Sequence, residues 1–327
     1  LQRNLIEKFK ESDDVSQYFI LQKKDILTAK NGSKYINFTF SDKSGIIDGK
    51  IWDVKDNTFA DIEIGEIVFV HGKVVKFKSN LQLNVELIEK RKLENSDLID
   101  SLIPSTPKNI EEMIGKISVF IDSINDHDIR KLVSKIIFDE EILPLFKSAP
   151  AASRNHHAYR GGLLEHTLSV ISLSDTLASS YSKANRDLLI SGATLHDIGK
   201  IYEYDLFTFQ KTDKGRLLGH IPIGIEMIDD KIRRNKFTSD KLFIHLKHIV
   251  VSHHGELQWG SPVQPATLEA ILIHFADNID SKAQIFSEFK IDDNSGWIYS
   301  KSLGRDVMLN ESNLTDKSKN VKTIFGS

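Results

Sequence analysis

The sequence predicts a multidomain chain: a small all-β barrel of OB type followed by an all-α helical bundle. Three observations predict it. Residues 15–90 carry short alternating runs of β-forming residues broken by turn chemistry. From residue 109 to about 289 the apolar residues recur at helical spacing. Nearly all of the 12 histidines fall in this helical half, several next to aspartates.

In the first half, strands are expected at 18–21, 35–40, 46–52, 66–78 and 81–88, with turn-like breaks at 30–33, 41–45 and 78–80. A non-strand interval, 54–64, separates the third strand from the fourth. Five strands interrupted once suit a Greek-key barrel of the type that binds oligonucleotides, although an SH3-like barrel would give a similar pattern. Alternation puts Ile36, Phe38 and Phe40 on one face and Tyr35, Asn37 and Thr39 on the other. In the next strand Ile47, Gly49 and Ile51 oppose Asp48, Lys50 and Trp52. Tyr35, Lys50 and Trp52 are therefore candidates for a stacking and phosphate platform for single strands. The alternative is that these aromatics pack against the helices that follow.

The boundaries read from these shifts are 1–92 for the barrel, 93–150 for a helical linker framed by Pro104 and Pro107, 151–290 for the bundle, and 291–327 for a polar tail. Linker helices are expected at 109–124 and 128–138, and bundle helices at 162–180, 184–198, 219–234, 240–253 and 265–288. In the tail, Trp297 and Tyr299 are candidate docking anchors.

Composition narrows the function classes. The 327 residues hold no cysteine, which excludes disulfides, thiolate zinc sites and a cysteine nucleophile, and fits a reducing cytoplasm. No run of 18 or more apolar residues is present, and residues 1–10 lack the apolar core of a signal peptide. The formal charge is −3, with 16 Lys/Arg against 14 Asp/Glu in residues 1–92 and 27 against 32 in the remainder. A nucleic-acid partner must therefore find a local basic groove, since no global positive field exists to attract it. A homo-oligomer is compatible with this composition.

The helical half contains His166, His196-Asp197, His220, His253-His254 and Asp277, each on or at the end of a different expected helix. A bundle can aim such side chains at one point, and imidazole with carboxylate suits borderline divalent ions: Mn, Fe, Co, Ni or Zn. A carboxylate such as Asp197 can bridge two ions about 3.5–4 Å apart, as in hydrolytic two-metal sites. Each residue alone is weak evidence, because a lone helical histidine is more often a satisfied core or surface residue. The ordered series is more specific: in His196-Asp197-Ile198-Gly199-Lys200 the ligands stand at a helix end, with Gly199 expected to stop the helix and Lys200 to reach a phosphate.

This series, H…HD…H…H…D, resembles the HD superfamily of metal-dependent phosphohydrolases. The surrounding residues are similar to the YhaM-type 3′–5′ exoribonuclease family. They run from His156-His157 to Glu165-His166-Thr167, then 196–200, Gly219-His220, 252–255 with Trp259-Gly260-Ser261-Pro262, and 276–280; 42–45 and 50–53 match in the barrel. The resemblance implies a metal-activated water that releases nucleoside monophosphates from single-stranded RNA and possible activity on single-stranded DNA. It further implies divalent ions, two in number, with manganese typical and magnesium also usable. Carried over by motif, His166, His196, Asp197 and Asp277 hold one ion, and Asp197, His220 and the pair His253-His254 the second. Which of the two adjacent histidines ligates stays open, because successive helical residues point about 100° apart.

Other candidates carry less. Lys200 is either an electrophilic phosphate contact or an exposed helix-end lysine. His156 and His157 precede the first ligand helix and are candidates to bind the scissile phosphate or protonate the leaving oxygen, or else to shape a loop. His274 and Asp280 flank Asp277 at three residues and suit supporting hydrogen bonds. His245 and His248 read as solvated. Rival readings are a small-nucleotide phosphohydrolase, which needs no barrel; a catalytically dead nucleic-acid adaptor, which should have lost a ligand; and a di-iron oxygenase with the same ligand set.

Overall fold

The computed structural model describes residues 4–29, 32–52, 59, 61–78, 80–91, 98, 100–153, 157–235, 237, 240–288, 297–300 and 302–308. Five strands, β1 (Asp14–Thr28), β2 (Lys34–Asp42), β3 (Gly45–Ile51), β4 (Ile67–Phe77) and β5 (Asn80–Lys90), close into a barrel in the order β1-β2-β3-β5-β4. All pairs are antiparallel except β3 with β5.

The alternation expected of β2 is what closes the barrel core: Ile36, Phe38 and Phe40 are buried and pack with Phe19, Ile47, Val70, Leu83 and Val85. The first strand is far longer than its apolar run 18–21. It pairs with β4 through Asp14–Ile20 and with β2 through Ile20–Thr28, shifting register between Leu21 and Lys23. Its second half, Gln22 to Asp25, is polar because its outer face is not covered by core, so hydrophobic alternation could not reveal it.

Helices α1 (Ile110–Asp122), α2 (His127–Ile137) and α3 (Ile142–Ser148) precede α4 (Gly162–Ser180), α5 (Arg186–Leu195), α6 (Lys200–Glu203), α7 (Asp213–Leu218), α8 (His220–Asn235), α9 (Asp240–Ser252) and α10 (Leu268–Glu288). Their starts follow from side chains that accept the free amides of the first turn: Asn109 from Glu112, Asp126 from Ile129, Asn185 from Leu188 and Thr212 from Gly215. One continuous core joins Ile117, Leu132 and Phe146 of α1–α3 to Leu164, Leu189, Ile249 and Ile273 of the later helices. The segment 110–148 thus packs as part of the bundle.

Residues 297–308 form a hairpin, β6 (Trp297–Ser300) against β7 (Arg305–Met308). Ser300 and Val307 are its buried positions, whereas the rings of Trp297 and Tyr299, expected as anchors, are exposed.

Candidate metal centre and nucleic-acid face

Two close approaches of backbone bring the ligand helices together. A Cβ on Gly162 would lie 2.0 Å from the His157 carbonyl oxygen, so the chain folds back on itself immediately before α4 and sets His166 one turn inside. A Cβ on Gly199 would lie 2.0 Å from the His220 carbonyl oxygen, so only glycine lets the start of α6 meet the start of α8. The expectation that Gly199 stops the helix is corrected here. Its φ is −64°, and α5 has already ended at Leu195, leaving His196 and Asp197 in the turn that follows.

The structure brings the whole ligand series to one buried place. Asp197 lies at its centre, and its two oxygens face opposite ways. Oδ2 is 3.4 Å from His166 Nε2 and 3.4 Å from His196 Nε2; Oδ1 is 3.3 Å from His220 Nε2 and 3.5 Å from His253 Nε2. Asp277 Oδ1 closes the first group at 3.3 Å from His166 Nε2. His254 joins the second, since donor atoms of His220, His253 and His254 all lie within 4.8 Å of one another. Both adjacent histidines follow the end of α9, and both reach the same group.

The other nitrogen of each of these imidazoles faces an oxygen. Nδ1 of His196 donates to the Ala193 carbonyl at 2.8 Å, His253 to Val250 at 2.8 Å, and His254 to Trp259 at 2.9 Å. His166 Nδ1 meets Asp280 Oδ2 at 2.7 Å and His220 Nδ1 meets Glu203 Oε2 at 3.1 Å. A nitrogen bonded to a carbonyl must carry the proton, so in the neutral rings of His196, His253 and His254 Nε2 is left bare and faces the centre, the arrangement that orients metal-binding histidines. Asp197 Oδ1 and His220 Nε2 are buried with no hydrogen-bond partner. Orphaned donors and acceptors of this kind are costly unless a cation takes them up, so the residues present fit divalent ions.

The electrostatics agree. Burial alone would raise Asp197, but Lys200, His196 and His166 hold it well below the usual carboxylate range. Burial pushes His220 and His253 down, and His254 down to about 4 with help from His253 beside it, which keeps these rings neutral as ligation requires. His166 differs: against its burial, Asp197, Asp277 and Asp280 hold it well above the ordinary value, marking a place that favours positive charge.

The remaining candidates divide. Lys200 is not an exposed helix-end lysine; its ammonium is largely buried, 2.6 Å from Asp197 Oδ2. His157 is brought to the centre but not to its open side. It is buried, with Nε2 3.1 Å from Asp280 and Nδ1 2.9 Å from the Tyr159 hydroxyl, so it supports Asp280 behind His166 instead of meeting a phosphate. His156 lies outside the described residues. His274 donates to the His253 carbonyl at 2.8 Å, and His248 accepts from the Ala266 amide, which corrects its reading as merely solvated. Glu203, which the sequence reading missed, holds both His220 and Lys211; His220 and Lys211 keep its carboxyl down at about 2 despite burial. The spacing Asp197, Lys200, Glu203 was its available signal. We expect Asp280→Asn to weaken metal affinity about 10- to 100-fold, the usual cost of losing a histidine's outer partner, with the fold retained. Metal titration followed by calorimetry checks it, and unchanged affinity would remove Asp280 from the ligand system.

On the barrel, Tyr35 and Trp52 stack with ring centroids 4.9 Å apart. Lys50 Nζ lies 5.6 Å from each of their centroids and 5.1 Å from that of Phe77, a residue not anticipated. Trp52 is 49% and Phe77 54% exposed, so the cluster is open to solvent and is not consumed by packing against the helices. Trp52→Ala is expected to cost about 1–3 kcal/mol of single-strand binding, the value of one stacked base. Unchanged RNA affinity in a folded variant, measured by fluorescence anisotropy, would return Trp52 to a structural role.

Residues 163–282 match the HD domain family and residues 20–91 match an OB-fold nucleic acid binding domain, so fold and site together define an HD-domain hydrolase carrying a nucleic-acid-binding barrel. The chain is 30% identical over 278 residues to the 3′-5′ exoribonuclease YhaM of Geobacillus sp. (strain WCH70), covering 85% of each chain. It is 31% identical over 271 residues to the proteins of the same name from Bacillus velezensis and Bacillus subtilis, covering 83% of this chain and 85% of theirs. The chain belongs to the YhaM 3′–5′ exoribonuclease family.

Proposed function

We propose that this chain is a divalent-metal-dependent 3′–5′ exoribonuclease that shortens single-stranded RNA, and single-stranded DNA as a second substrate, to nucleoside monophosphates. The observation that carries the reading is the two-sided engagement of Asp197, with His166 and His196 against one oxygen and His220 and His253 against the other. His166, His196, Asp197 and Asp277 would hold one ion, and Asp197, His220, His253 and His254 a second; manganese is the metal we expect. Bound ions of this kind supply an acidified water and positive charge opposite the phosphoryl oxygens.

The chain's own residues supply the rest. Asp280, Glu203 and three backbone carbonyls fix the imidazoles with Nε2 inward. Lys200 adds a fixed cation whose charge is little screened in a buried site. The barrel cluster around Lys50 grips the strand by stacking and cation–π contact. The names of the relatives support RNA as substrate and the 3′ start. Among the described residues no helix is long and apolar enough to cross a membrane, and with no cysteine in the sequence we place the enzyme in the cytoplasm.

The test is direct. Single-stranded RNA labelled at its 5′ end, incubated with the protein and Mn²⁺, should give a ladder that shortens from the 3′ end and stops when a chelator is added. Shortening that persists in chelator, or internal cuts without a ladder, would overturn the reading.

A further inference from the structure

The barrel and the bundle meet over a small apolar contact in which Ile20 packs with Leu102, Ile103 and Phe209. The bundle's side of this contact is a pinned loop: Asp205 Oδ1 accepts from the Phe207 amide, the Thr208 amide and the Thr208 hydroxyl, and Gln210 Nε2 donates to the Gln22 carbonyl of β1 at 2.6 Å. Beside this contact, β1 and β2 face the loop and α7 across a cleft of about 1260 Å³. That volume exceeds the roughly 300–1,000 Å³ of small-molecule pockets, and the walls carry many polar and charged side chains.

Charge in the cleft is not balanced. Of its three carboxylates, Asp25 pairs with Lys23, while Asp42 and Asp48 keep their charge in hydrogen bonds to Ser44 and Thr39, and five lysine and arginine side chains line the same cleft. Lys43 and Arg216, both exposed, line the same cleft and make no ion pair among the described residues. Phe207, 45% exposed, offers a ring there. Two lining residues adjoin groups that stand behind the metal ligands. Lys211 binds Glu203, which holds His220, and Ala158 follows His157, which reaches His166 through Asp280.

We propose that this interdomain cleft is the channel through which a single strand passes from the barrel to the metal centre, with Lys43 and Arg216 on backbone phosphates and Phe207 stacking on a base. The proposal rests on the exonuclease reading and gives its substrate a path. A cleft too large for one nucleotide, with two uncommitted cations and an open aromatic ring, has the makeup of a site that tracks a strand without reading its sequence.

The test measures binding of a fluorescent oligouridylate to the full chain in chelator, across a salt series, by anisotropy. Each phosphate contact on a single strand contributes about 0.7 to the slope of log affinity against log salt, so Lys43→Ala with Arg216→Ala should lower the slope by about 1.4. Phe207→Ala should weaken binding about 5- to 150-fold, the equivalent of one lost stacked base. Removing two exposed cations elsewhere, Lys131→Ala with Arg233→Ala, should leave the slope as it is. If the wild-type protein shortens RNA from the 3′ end but the cleft variants, folded by circular dichroism, match it in slope and affinity, the channel is wrong. If the cleft variants lose slope and affinity while the wild-type protein never shortens RNA, the cleft binds single strands but the exonuclease reading fails.

Discussion

Asp197→Ala is expected to abolish hydrolysis and to strip metal from the protein. Each of its oxygens faces a different pair of imidazoles, so one substitution removes a donor from both candidate ion sites. The loss should exceed about 10³-fold in rate, since removal of a single electrostatic stabiliser already costs about 10²–10³. The same change leaves the buried Lys200 ammonium without its partner, so some loss of stability of the metal-free protein should accompany it. Elemental analysis and single-turnover rates, taken on the same preparation, check the result. A variant that is both active and fully metal-loaded would sink the bridging role.

Lys200→Ala and His220→Ala are expected to fail in different ways. Lys200 donates no lone pair to an ion while protonated, and against its burial the charge of Asp197 holds its ammonium above the ordinary lysine value. Its removal takes away a neighbouring positive charge, which cannot weaken cation binding through repulsion. Metal content should hold while turnover falls about 10²–10³-fold, because charge developing on the phosphoryl oxygens loses one fixed positive partner. His220 reaches Asp197 through Nε2 and Glu203 through Nδ1, so His220→Ala should empty or loosen the second site, and added Mn²⁺ should partly restore activity. A lysine variant rescued by metal, or a histidine variant that keeps both ions, would contradict these roles. Rates across a Mn²⁺ titration, with metal content measured in parallel, separate the two.

What was legible in the chain follows from which forces are local. The expected helix at 162–180 is α4 to the residue, because its apolar stripe and the glycines before it are contiguous in sequence. The short helices α3, α6 and α7 were not anticipated, since four to seven residues hold too few apolar positions to show a period. In the barrel, Phe38 and Phe40 announced the core through alternation, while the polar half of β1 stayed hidden.

At the site the division is sharper. The sequence by itself determined which side chains could ligate: His166, His196, Asp197, His220, His253, His254 and Asp277 are recognisable by residue type, order and neighbours. Only the tertiary structure decided what each does there. It turned His157 inward to hold Asp280, recruited Glu203 behind His220, set both His253 and His254 on one group, and placed Lys200 against Asp197. Phe77 joined Lys50 the same way, from a strand that is not a neighbour of β3 in the barrel order. The reason is physical: donor chemistry belongs to the residue, but the direction of a ring nitrogen is set by whichever carbonyl or carboxylate packing brings to its other side, and those partners come from turns and helices up to 123 residues away along the chain.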